Sequence, residues 1–313
     1  QGMDVVTWTG TSSAQSISSL AFAPDFVWIK RRNASYGHVL LDTVRGLNNG
    51  HAGVLYANAT NAEDTGPTQS ITAFNSNGFT LGTDGGVNYS GSTYVAWCWK
   101  AGGAASSNTD GTITSSVSAN TSYGFSVVTY TGNTSAGATV GHGLSSDPKF
   151  VLVKCRNAGE PWVAFHTSTG NTVGMRLTTA AADSGYNWWN STTPSSTVFT
   201  IGNTGAVNNA NTYVAYCWSE VAGFSKFSSY SGTGSAGVTV TTGFKTKYVL
   251  IKSTSSGNWY VFDSSRGSNK VLYPDLSNAE ATGTLVELTD TGFKIVTSGS
   301  NVNANGETFI YAA

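Results

Sequence analysis

The chain has 313 residues and a formal net charge of -1, with charged residues at only 11% and no basic run denser than the Lys-Arg-Arg at 30–32. That balance excludes the clustered positive footprint of a nucleic-acid binder, and no apolar run approaches the ~18 residues of a membrane-spanning helix. Aromatic residues at 12%, with 9 Trp and 37 Gly, exclude a disordered chain and point to an all-β protein rich in turns.

Taken in chain order, the elements come three times. The first set opens with VVTWTG (5–10), continues with FVWIK (26–30), VLLDTVRG (39–46) and GFTLGT (78–83), and closes with TYVAWCW (93–99). The second runs SVVTYTG (126–132), FVLVK (150–154), VAFHTSTG (163–170), VFTIGN (198–203) and TYVAYCW (212–218). The third runs KFSSYSG (226–232), YVLIK (248–252), YVFDSSRG (260–267), GFKIVT (292–297) and TFIYAA (308–313). Spacing is kept as well as order. Lys30 to Asp42 and Lys154 to His166 are the same interval, and Lys252 to Asp263 is one residue shorter.

Each string is short, rich in β-branched and aromatic residues, and flanked by Gly, Asn, Asp or Ser, which predicts strands. The glycines that open two of the GF strands, Gly78 and Gly292, follow turn-like NSN and TDT and are expected to supply positive φ. The fold expected is all-β, with three tandem β-sandwich repeats, jelly-roll or lectin-like, of about 90–100 residues each. The boundaries are 1–100, a Gly/Ser/Thr-rich linker at 101–123, 124–222, and 223–313, the last copy truncated at its C-terminus. The third closing string stops where the first two continue, so the natural protein is expected to extend further. The linker predicts a loose first repeat, and the short 2–3 connection predicts a rigid pair.

The closing string is apolar on both faces, with Tyr94, Ala96 and Cys98 on one and Val95, Trp97 and Trp99 on the other. It therefore reads as a central strand covered on both sides. Cys98 and Cys217 share a place that Ala313 takes in the third copy, so size rather than thiol chemistry is expected there. Cys155 reads the same way, and compartment cannot be read from three cysteines with no C-x-x-C.

Catalytic constellations are not found: no G-x-S-x-G, no H-E-x-x-H, and no histidine that recurs in all three copies. GTGSAG (232–237) leads into a strand, not a helix, so it is read as a turn rather than a phosphate cradle. Asp84 in TDGG stands alone, which is too little for calcium. Lys30, Asp42 and Arg45 recur as Lys252, Asp263 and Arg266, while the middle copy has His166 and Thr169. This set is read as a structural ion pair or turn anchor, the alternative being a ligand site used twice. Glu63 and Glu280 recur in NAED and NAEA, which look like one loop. GYNWWNSTTP (185–194) occurs in the middle copy alone. If extended, its adjacent indoles point to opposite sides, so Tyr186, Trp188, Trp189 and Asn190 are the candidate ligand-binding residues. The alternative is that the two Trp are structural or subunit contacts.

Strings such as DFVWIKRR, LLDTVRG, FNSNGFTLGTDGGVNYSGSTYVAWCWKAGG and YVAYCWSEVAGFSKFSSYSG resemble a repeat family of bacteriophage tail-region and other virion structural proteins, many of them marine. The resemblance spans nearly the whole chain and supplies no catalytic or binding residues. It implies a non-enzymatic virion protein, associated with tail or fibre and recognising a host-surface glycan or protein. The alternatives are a purely structural or capsid-decoration protein and, with less support, a glycan-degrading tailspike. Expected partners are other virion proteins, a host glycan or protein and further copies of the chain, with no nucleic acid, membrane insertion, metal or cofactor.

Overall fold

In the computed structural model, which describes residues 1–48, 50–66 and 69–313, the closing strings are central strands. Thr93–Trp99 lies between Met3–Thr9 and Phe26–Arg31. Thr212–Ser219 lies between Phe125–Thr131 and Pro148–Cys155, and Thr308–Ala312 between Phe227–Ser231 and Tyr248–Ser253. Val39–Asp42, Val163–His166 and Trp259–Asp263 extend these sheets beyond the second strand. Every pairing among these strands is antiparallel. The protein is all-β, built from several antiparallel sheets, and the same order of corresponding strands occurs in 1–100, 124–222 and 223–313. These stretches are called the first, second and third segments below.

A smaller sheet covers one face of each large one. In the first segment it is Gln15–Ile17, Gly78–Leu81 and Ile71–Asn75. Its Ile17, Phe79, Leu81 and Ile71 pack with Val27, Ile29, Leu41, Ala96 and Cys98 in one buried cluster. The second and third segments have the same kind of cluster. Cys98, Cys155 and Cys217 are free and buried in these layers, where burial pushes the Cys98 and Cys217 thiols up. The expected glycines are in place. Gly78 and Gly292 have φ of +153° and +157°, and a Cβ there would meet the Ile17 and Val240 carbonyls.

The opposite faces of the three large sheets meet one another. Phe26, Trp97 and Trp99 from the first segment join Phe125, Phe150, Tyr216 and Trp218 from the second and Phe227, Leu250 and Ile310 from the third in a single core. Phe26 stacks on Tyr216 at 4.0 Å between ring centroids, and Trp99 meets Trp218 edge-on at 5.9 Å and Tyr248 at 5.5 Å. The first segment is therefore bound to both others, which corrects the expectation that it is the loose one. The alternation that makes each closing strand apolar on both sides is what permits two cores, one within each segment and one among them.

The stretch 101–123 is likewise not a free linker. Ser115–Asn120 pairs with Phe125–Thr131, and Ser106–Asn108 pairs in turn with Ser115–Asn120, so both widen the second segment's sheet. Its small residues suit an edge: Ser118 is buried and its Oγ accepts from Gly102 N (2.9 Å).

Candidate functional site

The polar chemistry of this chain gathers at the boundaries between segments. After Val39–Asp42 the chain turns, and Asp42 Oδ1 accepts from Val44 N (3.0 Å) and Arg45 N (2.7 Å). That turn brings Arg45 back over the strand end, where Nε donates to Asp42 Oδ2 (2.5 Å) and Nη2 to the Leu40 carbonyl (2.8 Å). Asp263 and Arg266 repeat this geometry, with Oδ1 accepting from Arg266 N (2.9 Å) and Oδ2 from Nε (2.6 Å). The ion pair expected from sequence is thus present twice, buried and anchoring a turn. Lys30 and Lys252 are not part of it. Lys30 Nζ donates to the Arg31 and Ala34 carbonyls and Lys252 Nζ to Ser255 O, because their side chains leave the strand toward the loop that follows it.

What sequence reading missed is that each carboxylate reaches into another segment. Tyr216 of the second donates to Asp42 Oδ2 of the first (2.8 Å), and Trp97 Nε1 of the first donates to Asp263 Oδ2 of the third (2.9 Å). The glutamates of the recurring NAE loop do the same work. Glu63 accepts from Arg45 (3.1 Å) and from Arg156 of the second segment (2.6 Å). Glu280 accepts from Arg266 (3.1 Å) and from Arg32 of the first (2.8 Å). Burial pushes the Glu280 carboxyl up, but the two guanidiniums outweigh it and hold it below the usual range. The recurrence of Glu63 with Glu280, and of Arg32 with Arg156 two residues after the shared lysine, was the available signal.

The third boundary, between the third and second segments, keeps the backbone contacts and changes the side chains. Ala182 N donates to Thr254 O (2.8 Å), as Glu63 N does to Arg156 O and Glu280 N to Arg32 O (2.7 Å each). Trp259 Nε1 donates to Arg176 O (2.8 Å), as Trp162 Nε1 does to Tyr56 O (2.9 Å). But Ala312 stands where the other closing strands have Trp97 and Tyr216, so no side-chain donor is offered. His166, in the place of the aspartates, instead donates from Nε2 to the Tyr311 carbonyl (3.0 Å), its tautomer fixed by Ser168 N donating to Nδ1 (3.1 Å). Burial lowers His166 to about 4, so it is neutral. The room left by Ala312 is taken from the neighbouring strand. Phe227 pairs with Ala312 where Val5 pairs with Trp97 and Val127 with Tyr216.

Three lysines recur behind these boundaries. Burial lowers Lys30, Lys154 and Lys252 to about 8 each, and each Nζ is held by carbonyls. Lys154 reaches the first segment through Thr60 O (3.1 Å). Asp84 Oδ1 accepts from Gly86 N (2.6 Å) and caps the one-turn helix Gly85–Asn88. GTGSAG links two strands, Phe227–Ser231 and Val238–Thr241. Among the described residues no three His, Cys, Asp or Glu side chains are grouped to hold a metal ion, and no helix is long and apolar enough to cross a membrane.

The tryptophan loop differs from expectation. Trp188 and Trp189 are each 2% exposed and belong to the second segment's own core. Residues 188–191 form a turn, with Asn190 and Ser191 at φ of +47° and +50°, so the two indoles are not set out along an extended chain. Trp189 packs edge-on against Phe165, and Gly174 lies against the face of Trp188. Of the four candidates Tyr186 is the exposed ring, at 48%, stacked on Trp188 at 5.1 Å with the Arg176 guanidinium 5.0 Å from its centroid.

At one end of the shared core lies a cavity of about 160 Å³. Trp28, Trp99, Phe150, Trp218 and Tyr248 form its aromatic walls, all three segments contribute, and Lys245 and Lys247 stand at its rim. Both lysines are already paired, with Asp290 (3.0 Å) and Asp4 (3.2 Å).

A protein-family profile described as Domain of unknown function (DUF7483) matches residues 2–313. No curated protein and no solved structure matches the chain.

Proposed function

We propose that this chain, which belongs to the DUF7483 family, is a non-enzymatic building block of a bacteriophage particle, associated with the tail or fibre. In this reading it is three tandem β-sandwich units, jelly-roll or lectin-like, closed on one another about an internal pseudo-threefold axis. The observation that carries the reading is the set of three corresponding boundaries. Their recurring carboxylates are engaged in holding segments together rather than facing a cleft: Asp42 and Asp263 are both 1% exposed and each is bound by an arginine and an aromatic donor of another segment. Such a block is suited to bearing load and displaying loops. The likeness of its strings to phage tail-region proteins supports the placement on a particle, where other virion proteins and further copies of the chain are its partners.

The test is to purify particles from an infected culture by density gradient and quantify this chain beside the major capsid protein. A fixed ratio through successive gradients is expected. Recovery of the chain only in the soluble lysate contradicts the proposal.

A second reading, recognition of a host glycan or protein, is favoured by Tyr186, whose ring offers an exposed face braced by Trp188 and Arg176. Tyr186→Ala should then abolish binding of the chain to host cells while the protein stays folded, with its melting temperature lowered far less than by Trp188→Ala. Equal binding by both proteins removes this reading.

A further inference from the structure

We propose that His38 and His166 are an acid-operated latch on the third segment: protonating them releases it from both neighbours while the first and second segments stay joined. Their placement carries this. His38 of the first segment faces the Tyr273 carbonyl of the third, and His166 of the second donates from Nε2 to the Tyr311 carbonyl of the third (3.0 Å). Among the described residues, the boundary between the first and second segments has no histidine. There Asp42 stands in the place of His166 and Trp162 in the place of His38, bound to Tyr216 and to the Tyr56 carbonyl. The other two histidines bond inside their own segments, His51 beside the Ala52 carbonyl and His142 between Leu144 N and the Ser195 carbonyl.

Each ring is committed to one neutral tautomer. Trp28 Nε1 donates to His38 Nδ1 (2.9 Å), and Ser168 N donates to His166 Nδ1 (3.1 Å). A second ring proton sets N–H against N–H in both places, inside sites closed to water. Burial is the main force on both rings. It lowers His166 to about 4 and His38 well below its usual range, with Lys30 and the third segment's Arg266 adding to the cost of charging His38. The histidine at 38 comes with a neighbour's exchange. The first segment has Trp28 with His38 where the others have Leu152 with Trp162 and Leu250 with Trp259. The indole has moved one strand over, and the smaller imidazole faces the carbonyl in its place.

Once released, both rings return to an ordinary value near 6.5, so release takes up two protons as pH falls below that. The release equilibrium then shifts by about tenfold per pH unit for each histidine. The other charged groups here are already engaged. Beside His166, Lys149 is paired with Asp147, Lys154 with the Thr60 carbonyl and Arg176 with Asp183, and Lys226 is paired with Glu220 behind Tyr311. At the first–third boundary Arg266 holds Asp263, and Arg266 and Arg32 hold Glu280 below the usual carboxylate range, so Glu280 acts only at lower pH. Asp275, raised by burial to about 6, takes up its proton in the closed form and opposes release where release exposes it.

The test follows hydrogen exchange of the 313-residue chain from pH 7 to 5, each amide corrected for its intrinsic rate. Tyr36 N on Ser277 O and Glu280 N on Arg32 O report the first–third boundary, and Ala182 N on Thr254 O the second–third. Glu63 N on Arg156 O reports the boundary without a histidine. The three amides are expected to lose protection by up to about a hundredfold per pH unit while Glu63 keeps its own. In His38→Gln with His166→Gln, which keeps a donor and an acceptor at each site and takes no proton, the loss should disappear. If that pair does not fold, Trp28→Leu with His38→Trp installs the residues of the other segments and should reduce the slope to about tenfold per pH unit. The proposal is overturned if Glu63 loses protection together with the others, if the three amides stay protected down to pH 5, or if the variants open as the parent does.

Discussion

Tyr216 of the second segment donates its hydroxyl to Asp42 of the first, 2.8 Å away, and both side chains are buried. Asp42 also binds Arg45, which reaches within 3.3 Å of the same hydroxyl. One carboxylate thus fixes a turn in its own segment and the position of the next. Tyr216→Phe keeps the ring and removes only this donor, so a loss of about 1.5–3 kcal/mol in denaturant unfolding is expected. Trp97→Phe should cost a similar hydrogen bond at Asp263 plus part of the indole's packing. Unchanged stability in Tyr216→Phe would show that the contact contributes nothing.

The third boundary offers a gain rather than a loss. Arg156 with Glu63, and Arg32 with Glu280, bridge two boundaries, while Thr254 and Ala182 occupy the matching places in the third and share the same backbone hydrogen bond. Thr254→Arg combined with Ala182→Glu should install a third bridge. Partly exposed pairs are screened by solvent, so an increase of at most about 1 kcal/mol is expected. The check is that the two substitutions together stabilise more than the sum of each alone.

Acid should weaken the fold through His166. Its folded-state value of about 4 lies below the unfolded 6.5, so the unfolded chain takes up a proton first as pH falls. The contribution of the neutral ring is full above pH 6.5, declines between 6.5 and about 4, and is spent below that, up to ~3 kcal/mol. Asp275, raised by burial to about 6, opposes it over part of this window. The difference between the parent chain and His166→Gln isolates the term, since Gln can still donate to Tyr311 O. Parallel pH profiles for the two proteins would contradict the assignment. At the other end, three lysines lowered to about 8 make stability rise from pH 8 toward 10, because the unfolded chain keeps those protons longer.

The buried indoles of the middle segment should act on stability. Trp188→Ala and Trp189→Ala are each expected to cost about 3–5 kcal/mol, as large aromatic deletions in cores do. Tyr186→Ala, half exposed, should cost far less. Thermal melts of the three variants check this order, and equal melts for all would mean the indoles are not core.

Much of the large-sheet framework could be read from the sequence because strand periodicity and turn glycines are local signals. The double-faced closing strand followed from alternation in TYVAWCW, and the buried Cys98 and Cys217 from the place they share with Ala313. The shared core did not, because an apolar face does not say what covers it. Nor did the exchange of Phe227 with Ala312 for Val5 with Trp97, which is visible only once the strands are paired. The boundary role of His166 was hidden for the same reason: its departure from Asp is explained by the Ala312 of another segment, far away in sequence. The tryptophan loop misled because residues 188–191 form a turn, so the alternation that strand reasoning assumes does not hold for Trp188 and Trp189.

Calorimetry of the whole chain tests the central claim, that the three segments are held as one body by a shared core. The account predicts a single transition whose calorimetric and van't Hoff enthalpies agree, with an enthalpy of roughly 0.7 kcal/mol per residue. Two or three separable transitions, each with the enthalpy of one segment, would contradict it.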